Sequence, residues 1–257
     1  MMQRIIQDVR ACLQFYSRLP VAGANDAHNA PDFSRVGWAA PIGGAIIGGI
    51  GGAVILVAQP LHLPTTVTAA CAVAALAFTT GALHEDGLAD LADGFGGGKD
   101  REAKLAIMRD SRLGSYGGLA LCLSTMLRVF ALAAIIERGA MLAFFAVLAA
   151  GAFSRAAGLA PMLVATPARA DGAGASSAPP SSDMIRRAFV VAAALALCPL
   201  VAGASVAQIV ASQLAAIIVT VALTKLAQRQ IGGYTGDVLG AAQQASEIAI
   251  LVALSAR

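Results

Sequence analysis

Charge is scarce in this chain of 257 residues. Asp, Glu, Lys and Arg make up 13% of it, whereas hydrophobic residues make up 58% and the mean hydropathy is +0.73. A water-soluble domain does not need this much apolar surface, so the composition argues against a soluble protein and predicts several membrane crossings. The formal net charge is only +3, which gives no electrostatic reason to expect nucleic acid as a partner.

Cysteine is also sparse. The four cysteines, Cys12, Cys71, Cys122 and Cys198, are far apart and form no C-x-x-C motif. This spacing excludes a disulfide framework and a cysteine-based zinc site. Because three of the four fall in apolar segments, we expect them to be small core residues.

The N-terminal region lacks the uninterrupted apolar segment of a cleaved signal peptide. Apolar residues from Ile5 to Tyr16 recur at helical spacing with arginines between them. This pattern predicts an amphipathic helix lying at the membrane surface, as part of an N-terminal interfacial segment over residues 1–35.

Long apolar runs dominate the rest of the chain. A transmembrane helix needs about 20 predominantly apolar residues. Seven stretches meet this requirement: 37–59, 65–84, 117–136, 140–162, 188–206, 207–226 and 237–255. The chain is therefore predicted to be an all-α polytopic bundle, a single membrane domain over 1–257. The break between the fifth and sixth stretches rests only on "AGAS" around Gly203, so six spans are the alternative. The glycines of "GGAIIGGIGG" predict close packing of the first span.

The distribution of cations supports seven spans with the N-terminus inside. In this arrangement every loop Lys and Arg except Arg138 and Arg257 lies on the cytoplasmic side, as the positive-inside rule requires. The acidic segment 85–116 then lies in the cytoplasm as well. The small, proline-rich segment 170–183 is expected to be a flexible cytoplasmic loop.

Carboxylates are concentrated in "HEDGLADLADGFGGGKD", residues 84–100. Asp86, Asp90 and Asp93 follow the spacing i, i+4, i+7, which places them on one face of a helix. Three like charges on one face favour a cation between them, and Mg²⁺ is commonly bound by carboxylates together with substrate phosphates. Glu85 lies off this face and is a weaker metal-ligand candidate. The alternative interpretation is a solvated helix end.

Glycines and cations follow the carboxylates directly. Gly96 and Gly97 are expected to end the helix and to let the backbone approach a bulky anionic ligand. Lys104, Arg109 and Arg112 are expected to bind phosphate oxygens. The positive-inside rule alone is the alternative explanation for these cations.

Three more carboxylates and two arginines are candidates for the site. Asp110, just before "SRLGSYG", is an additional ligand or a base. Asp237 opens the last span, either as a helix N-cap or as a carboxylate brought to the metal. Charges within spans are costly and usually functional. Arg128, Arg155 and Glu247 are therefore expected either to bind an anionic substrate or to form an internal Arg–Glu pair.

These motifs resemble the cobalamin synthase family, the adenosylcobinamide-GDP ribazoletransferases. The resemblance rests on "HEDGLADLADGFGGG", "IMRDSRLGSYG" and "GGYTGDVLGAAQQASE", with "FYSRLP" and "SRAAG" in support, and it covers nearly the whole chain. It implies an enzyme of the bacterial inner membrane with a cytoplasmic site and Mg²⁺ as cofactor. Such an enzyme joins adenosylcobinamide-GDP to α-ribazole or its 5′-phosphate, releasing GMP and forming adenosylcobalamin or its phosphate. The implied partners are these substrates and the lipid bilayer, and the oligomeric state stays open.

The acidic segment also resembles the D-x-x-D-G signature of CDP-alcohol phosphotransferases, here Asp90, Asp93 and Gly94. The second half of that signature is absent, and Asp86, Asp110 and Asp237 are expected to take its place. By this resemblance Asp93 or Asp110 is the base, and Arg109, Arg112 and Arg155 hold phosphate oxygens. A lipid-producing transferase of this type is one alternative function. A transporter lined by the intramembrane charges is the other.

Overall fold

The computed structural model describes residues 2–21, 31–172 and 178–256. Within these ranges every regular element is helical, which confirms the predicted all-α class. The helices are α1 (Met2–Tyr16), α2 (Phe33–Val36), α3 (Ala40–Ala58), α4 (Thr65–Thr80), α5 (Leu83–Gly97), α6 (Arg101–Ile107), α7 (Ser115–Arg138), α8 (Ala140–Leu159), α9 (Pro161–Val164), α10 (Ser182–Leu195), α11 (Val206–Ile231) and α12 (Gly236–Ser255). Parts of two predicted segments, 22–30 of the interfacial segment and 173–177 of the loop, lie outside the described residues.

Six helical segments of the described chain are long and apolar enough to cross a membrane. They are Phe33–Leu61, Ser115–Arg138, Ala140–Val164, Ser182–Ala202, Val206–Ile231 and Gly236–Ser255. The weak break at "AGAS" is a true helix boundary, because Gly203 has a left-handed φ of 97° and Ser205 forms a capping box at the start of α11. The fifth and sixth predicted spans are therefore separate.

The number of spans, six or seven, depends instead on the predicted span 65–84. Its helix, α4, has 16 residues, which corresponds to a length of about 24 Å, and the chain then bends by 90° into α5. Gly81 and Ala82 make this corner with left-handed φ values of 65° and 57°. The bent pair α4–α5 brings the number of spans to seven if it is counted as one crossing.

Glycines hold α3 against α8, as the "GGAIIGGIGG" stretch predicts. A Cβ on Gly44 would collide with the carbonyl oxygen of Gly151, and a Cβ on Gly48 would lie 2.5 Å from the carbonyl oxygen of Val147. The two backbones thus approach as closely as they do because the side chains are missing.

Loops from three parts of the chain meet at one end of the bundle, here named the loop end and formed by residues 81–114, 160–172 and 231–236. Arg101 joins them: its Nε donates to the Ile231 carbonyl at 2.8 Å and its Nη2 donates to the Ala168 carbonyl at 2.6 Å. At the opposite end, the C-terminus of α3 and the first turn of α4 lie beside the α7–α8 junction. The helix α4 therefore runs from that end to the loop end.

The N-terminal helix α1 is amphipathic, as predicted. Its inner face buries Asp8, Cys12, Leu13 and Tyr16, whereas other apolar residues such as Ile6 are exposed. Its position at a membrane surface stays a prediction.

The prediction that the cysteines are core residues is wrong for Cys71 and Cys122, which are exposed, although it holds for Cys12. In a membrane protein the outer face is apolar as well, so an apolar sequence context does not distinguish core from perimeter.

Candidate active site

The Gly81–Ala82 corner bends the chain by 90°, so that α5 carries its carboxylates away from the axis of α4. Helix α5, which lies outside the six spans, packs against α7 and α12. Close contact with α12 occurs at Gly87, where a Cβ would lie 3.2 Å from the Cα of Asp237. The backbone arrangement therefore brings Asp237 to the acidic helix.

Three other carboxylates act on the charge of Asp90. Burial raises the pKa of Asp90 to about 6, and the negative charges of Asp86, Asp237 and Asp93 add to the shift, while Arg169 opposes it. The first residue, Asp86, is exposed, Asp90 is half-buried and Asp93 is buried. Asp86, Asp93 and Asp237 are thus close enough to Asp90 for their charges to act on it. We name these four residues the acidic cluster, and their joint role as metal ligands stays a prediction.

Asp93 differs from its neighbours because both of its oxygens accept backbone hydrogen bonds. Gly114 N–H donates to Oδ2 and Gly117 N–H donates to Oδ1, each at 2.8 Å. A Cβ on either glycine would collide with the Asp93 carboxylate. The glycines of "SRLGSYG" therefore make room for Asp93, which ties α5 to the first turn of α7.

Asp237 lies in the first turn of α12. The N-cap of this helix is Thr235, whose Oγ1 accepts from Val238 N–H at 3.3 Å, so the N-cap interpretation of Asp237 is wrong. Asp237 instead accepts from Thr235 Oγ1 at 3.0 Å and lies 3.5 Å from Arg169 Nη2. In the sequence Arg169 stands out only as one of the loop cations, and nothing there indicates its pairing with Asp237.

The donor set of the acidic cluster suits a hard divalent cation. Among the described residues, the side chains of Asp86 and Asp90 have no hydrogen-bond or ion-pair partner. Nor are any three His, Cys, Asp or Glu side chains of the described chain arranged to hold a metal ion by themselves. Mg²⁺ usually binds one or two carboxylates and completes its shell with water and substrate phosphates. Its binding at the acidic cluster stays a prediction.

Glu85 belongs to a different group of charges. Its Oε1 accepts from Arg128 Nη1 at 2.7 Å, Arg128 Nη2 lies 3.0 Å from Glu247 Oε1, and Arg155 Nη1 lies 3.2 Å from Glu247 Oε2. All four side chains are buried. The structure thus bears out internal Arg–Glu pairing, and it places Glu85 in this network, away from the acidic cluster.

A cavity of about 970 Å³ opens beside the acidic cluster. Its wall includes Asp86 and Asp237, with Arg155 from the ion network. Further polar residues lining it, among them Arg18, His84 and Gln243, were not identified as site residues from the sequence. Arg18 lies within "FYSRLP", one of the motifs that support the family resemblance, and this motif could have indicated Arg18 as a site residue.

The predicted phosphate-binding cations other than Arg155 are engaged outside the cavity wall. Lys104 Nζ donates to Gln230 Oε1, and Arg109 Nη2 donates to Asp171 Oδ2 at 2.7 Å. Binding of substrate phosphate by either cation stays a prediction.

Asp110 and Arg112 form an exposed pair. Arg112 Nε donates to Asp110 Oδ1 at 3.0 Å, and the hydrogen bonds from Arg112 lower the pKa of Asp110 to about 2. Their roles as base and phosphate ligand stay predictions, and the structure does not place either on the cavity wall.

The two predicted ligand-contacting glycines lie at the end of α5 and are exposed. Gly96 lies under the ring of Tyr116, and a Cβ on Gly97 would lie 3.4 Å from Ile107 Cδ1. The helix ends at Gly97, as expected. Gly96 therefore has a packing role here, and contact of either glycine with an anionic ligand stays a prediction.

Apolar helices around buried ion pairs, with an acidic cluster and a cavity at one end, define a multi-pass membrane protein with a polar site at the loop end. The sequence profile of the family described as cobalamin-5-phosphate synthase matches residues 8–255, and the chain belongs to this family.

Curated relatives agree over nearly their whole length, and each is described as adenosylcobinamide-GDP ribazoletransferase. The protein of Azorhizobium caulinodans is 46% identical over 251 residues, covering 97% of this chain and 95% of the relative. The protein of Xanthobacter autotrophicus is 47% identical over 255 residues, covering 98% and 96%. The protein of Bradyrhizobium diazoefficiens is 42% identical over 254 residues, covering 99% and 95%. No solved structure matches the chain.

Proposed function

We propose that this chain is an adenosylcobinamide-GDP ribazoletransferase. It transfers the adenosylcobinamide-phosphate group of adenosylcobinamide-GDP to α-ribazole or its 5′-phosphate and releases GMP, in the late nucleotide-loop assembly step of cobalamin biosynthesis. Family membership and the relatives' name support this function. The structural observation that carries it is the meeting of the acidic cluster with a cavity large enough for a small-molecule substrate.

Asp86, Asp90 and Asp237 are the residues proposed to hold Mg²⁺, with Asp93 next to them. Two of these carboxylates are unpaired in the described chain, which supports the assignment. When bound, the ion supplies positive charge to the pyrophosphate and to the departing GMP.

The chain's own residues position the reacting groups. The ribose hydroxyl of the acceptor attacks the phosphorus next to the corrinoid, the bond from this phosphorus to the GMP oxygen breaks, and the hydroxyl proton passes to a carboxylate. Asp93 and Asp110 remain the two predicted bases: both oxygens of Asp93 accept backbone hydrogen bonds, and Asp110 is paired with Arg112 at the surface.

The loop end is proposed to face the cytoplasm from the bacterial inner membrane. The positive-inside rule supports this orientation, because the cations of the loop end include Arg101, Lys104, Arg109 and Arg112. The amphipathic helix α1 is proposed to lie at the membrane surface on the same side. Family membership does not favour the lipid-producing transferase or the transporter.

The test is GMP release by the detergent-purified full chain from adenosylcobinamide-GDP and α-ribazole 5′-phosphate. We expect GMP and a matching cobamide product in the presence of Mg²⁺, and loss of both with EDTA. Folded protein that releases no GMP with Mg²⁺ would contradict the proposed reaction. Full activity with EDTA would contradict the proposed cofactor alone.

A further inference from the structure

The cavity beside the acidic cluster is built from distant parts of the chain. Its wall contains residues within 14–21, 80–87, 155–162 and 236–243, together with Phe33. The volume of about 970 Å³ lies at the upper end of the usual range for one small-molecule ligand, about 300–1,000 Å³. The cavity therefore has room for a nucleoside and its 5′-phosphate.

Much of the wall is apolar and aromatic. The rings of Phe15 and Phe33 are 5.5 Å apart edge to face, and Tyr16 stacks on His84 with a separation of 5.7 Å. Leu159 and Met162 contribute further apolar surface. Such a wall favours a flat aromatic base, while Asp86 and Asp237 on the same wall favour hydroxyl groups.

Arg18 is an exposed cation of this wall, and its guanidinium is unpaired among the described residues. Its backbone N–H donates to the Thr79 carbonyl at 2.7 Å, and its guanidinium lies over Gly81, where a Cβ would collide with it. The left-handed φ of 65° at Gly81 also favours glycine there. Within the described chain, the Arg18 guanidinium has no hydrogen-bond or ion-pair partner.

The other arginines of this region are occupied. On the cavity wall Arg155 is paired with Glu247, and near the acidic cluster Arg169 is paired with Asp237. Elsewhere at the loop end Arg109 and Arg112 are paired with aspartates. Arg18 is thus available for an anion entering the cavity, and a guanidinium suits phosphate because it donates two parallel hydrogen bonds.

We propose that the cavity binds the nucleoside substrate, α-ribazole or its 5′-phosphate, and that Arg18 binds the 5′-phosphate. The aromatic base then lies against the apolar wall, and the ribose lies on the side of Asp86 and Asp237. Arg18 is a specificity-determining residue in this arrangement: it distinguishes the phosphorylated nucleoside from the free one. The inference rests on the proposed function.

The test compares KM for α-ribazole 5′-phosphate and for α-ribazole, with saturating adenosylcobinamide-GDP, in the detergent-purified full chain. Arg18→Ala is expected to raise KM for the phosphorylated substrate about tenfold or more, because a charge-assisted hydrogen bond is lost, and to leave KM for α-ribazole within about twofold. Arg18→Lys is expected to recover part of the difference.

The matched control is Arg10→Ala, which removes an exposed arginine of α1 that does not line the cavity. It should change neither KM. Equal effects of Arg18→Ala on both nucleosides, or no effect on either, would overturn the assignment of Arg18. A wild-type chain that is folded but inactive with both nucleosides would instead refute the proposed function. Binding of α-ribazole 5′-phosphate alone, measured by calorimetry, should weaken in Arg18→Ala as well.

Discussion

At the scale of single residues, three aspartates of one short helix have different surroundings. Asp93 accepts two backbone hydrogen bonds at 2.8 Å, whereas the side chains of Asp86 and Asp90 have no such partner among the described residues. Hydrogen bonds from N–H groups stabilise a carboxylate without any cation, but the unpaired carboxylates retain their mutual repulsion. Asp86 and Asp90 therefore depend most on a bound cation.

Replacement of Asp90 by Asn is expected to reduce GMP release about 100-fold or more at limiting Mg²⁺, because it removes a charged oxygen ligand. The measurement is GMP release across a Mg²⁺ titration, with Asp183→Asn as the control, since Asp183 is paired with Arg186 on the surface. Near-normal turnover of Asp90→Asn at all Mg²⁺ concentrations would show that Asp90 is not a ligand.

At the scale of helices, the motif "SRLGSYG" fixes the position of α7 relative to α5. Gly114 is the N-cap of α7 and Gly117 lies in its first turn, and the Asp93 carboxylate occupies the space of both missing side chains. The acidic helix and the transmembrane helix are thus held in one relative position.

Gly117→Ala is expected to displace Asp93 and to lower kcat for GMP release at least about tenfold, although alanine by itself favours a helix. The matched control is Gly118→Ala, because a Cβ there would lie 4.0 Å from its nearest neighbour, Leu113 Cδ2. Activity and thermal unfolding in detergent should be measured for both variants. Equal activity of the two would show that the position of Asp93 is not important.

Helix periodicity predicted α5 and the shared face of its aspartates, because that inference needs only local spacing. The corner at Gly81 and Ala82 was not predicted. Glycine at Gly81 is compatible with a helix end, but alanine rarely adopts the left-handed φ that Ala82 has. The contacts of Asp93 with Gly114 and of Arg169 with Asp237 join residues far apart in sequence. Local pattern therefore identified the acidic cluster, but only the packing of helices showed how each carboxylate is held.

At the scale of the whole molecule, buried charges connect four helices. Glu85 of α5, Arg128 of α7, Arg155 of α8 and Glu247 of α12 form one network. Removing one member of a buried ion pair leaves the other charge without compensation, which usually costs about 3–5 kcal/mol. The network therefore links the stability of the bundle to the position of α5.

Arg128→Ala and Glu247→Gln are each expected to lower the free energy of unfolding, and the double variant is expected to be less destabilised than the sum of the two by about 0.5–3 kcal/mol. Urea unfolding in detergent measures this coupling. Glu137→Gln, an exposed change near the other end of α7, is the control and should change stability little. Strict additivity would exclude direct pairing of Arg128 and Glu247.

The last prediction concerns whether α4 crosses the membrane. Since α4 runs from the opposite end of the bundle to the loop end, Gln59 and Lys99 should lie on opposite sides of the membrane. If the bent pair α4–α5 were a re-entrant loop, both residues would lie on the same side. Both are exposed, so either position is suitable for a cysteine.

Gln59→Cys and Lys99→Cys are made in a background in which Cys71, Cys122 and Cys198 are replaced by Ser. A membrane-impermeant maleimide should label Gln59→Cys in intact spheroplasts, and it should label Lys99→Cys only after permeabilisation, since the cations of the loop end favour the cytoplasm. The control is the protein in which Cys12 is the only remaining cysteine. Cys12 is buried, so this protein should not be labelled. Labelling of both cysteines from outside would show that α4 does not cross, because two positions joined by a single complete crossing cannot face the same compartment.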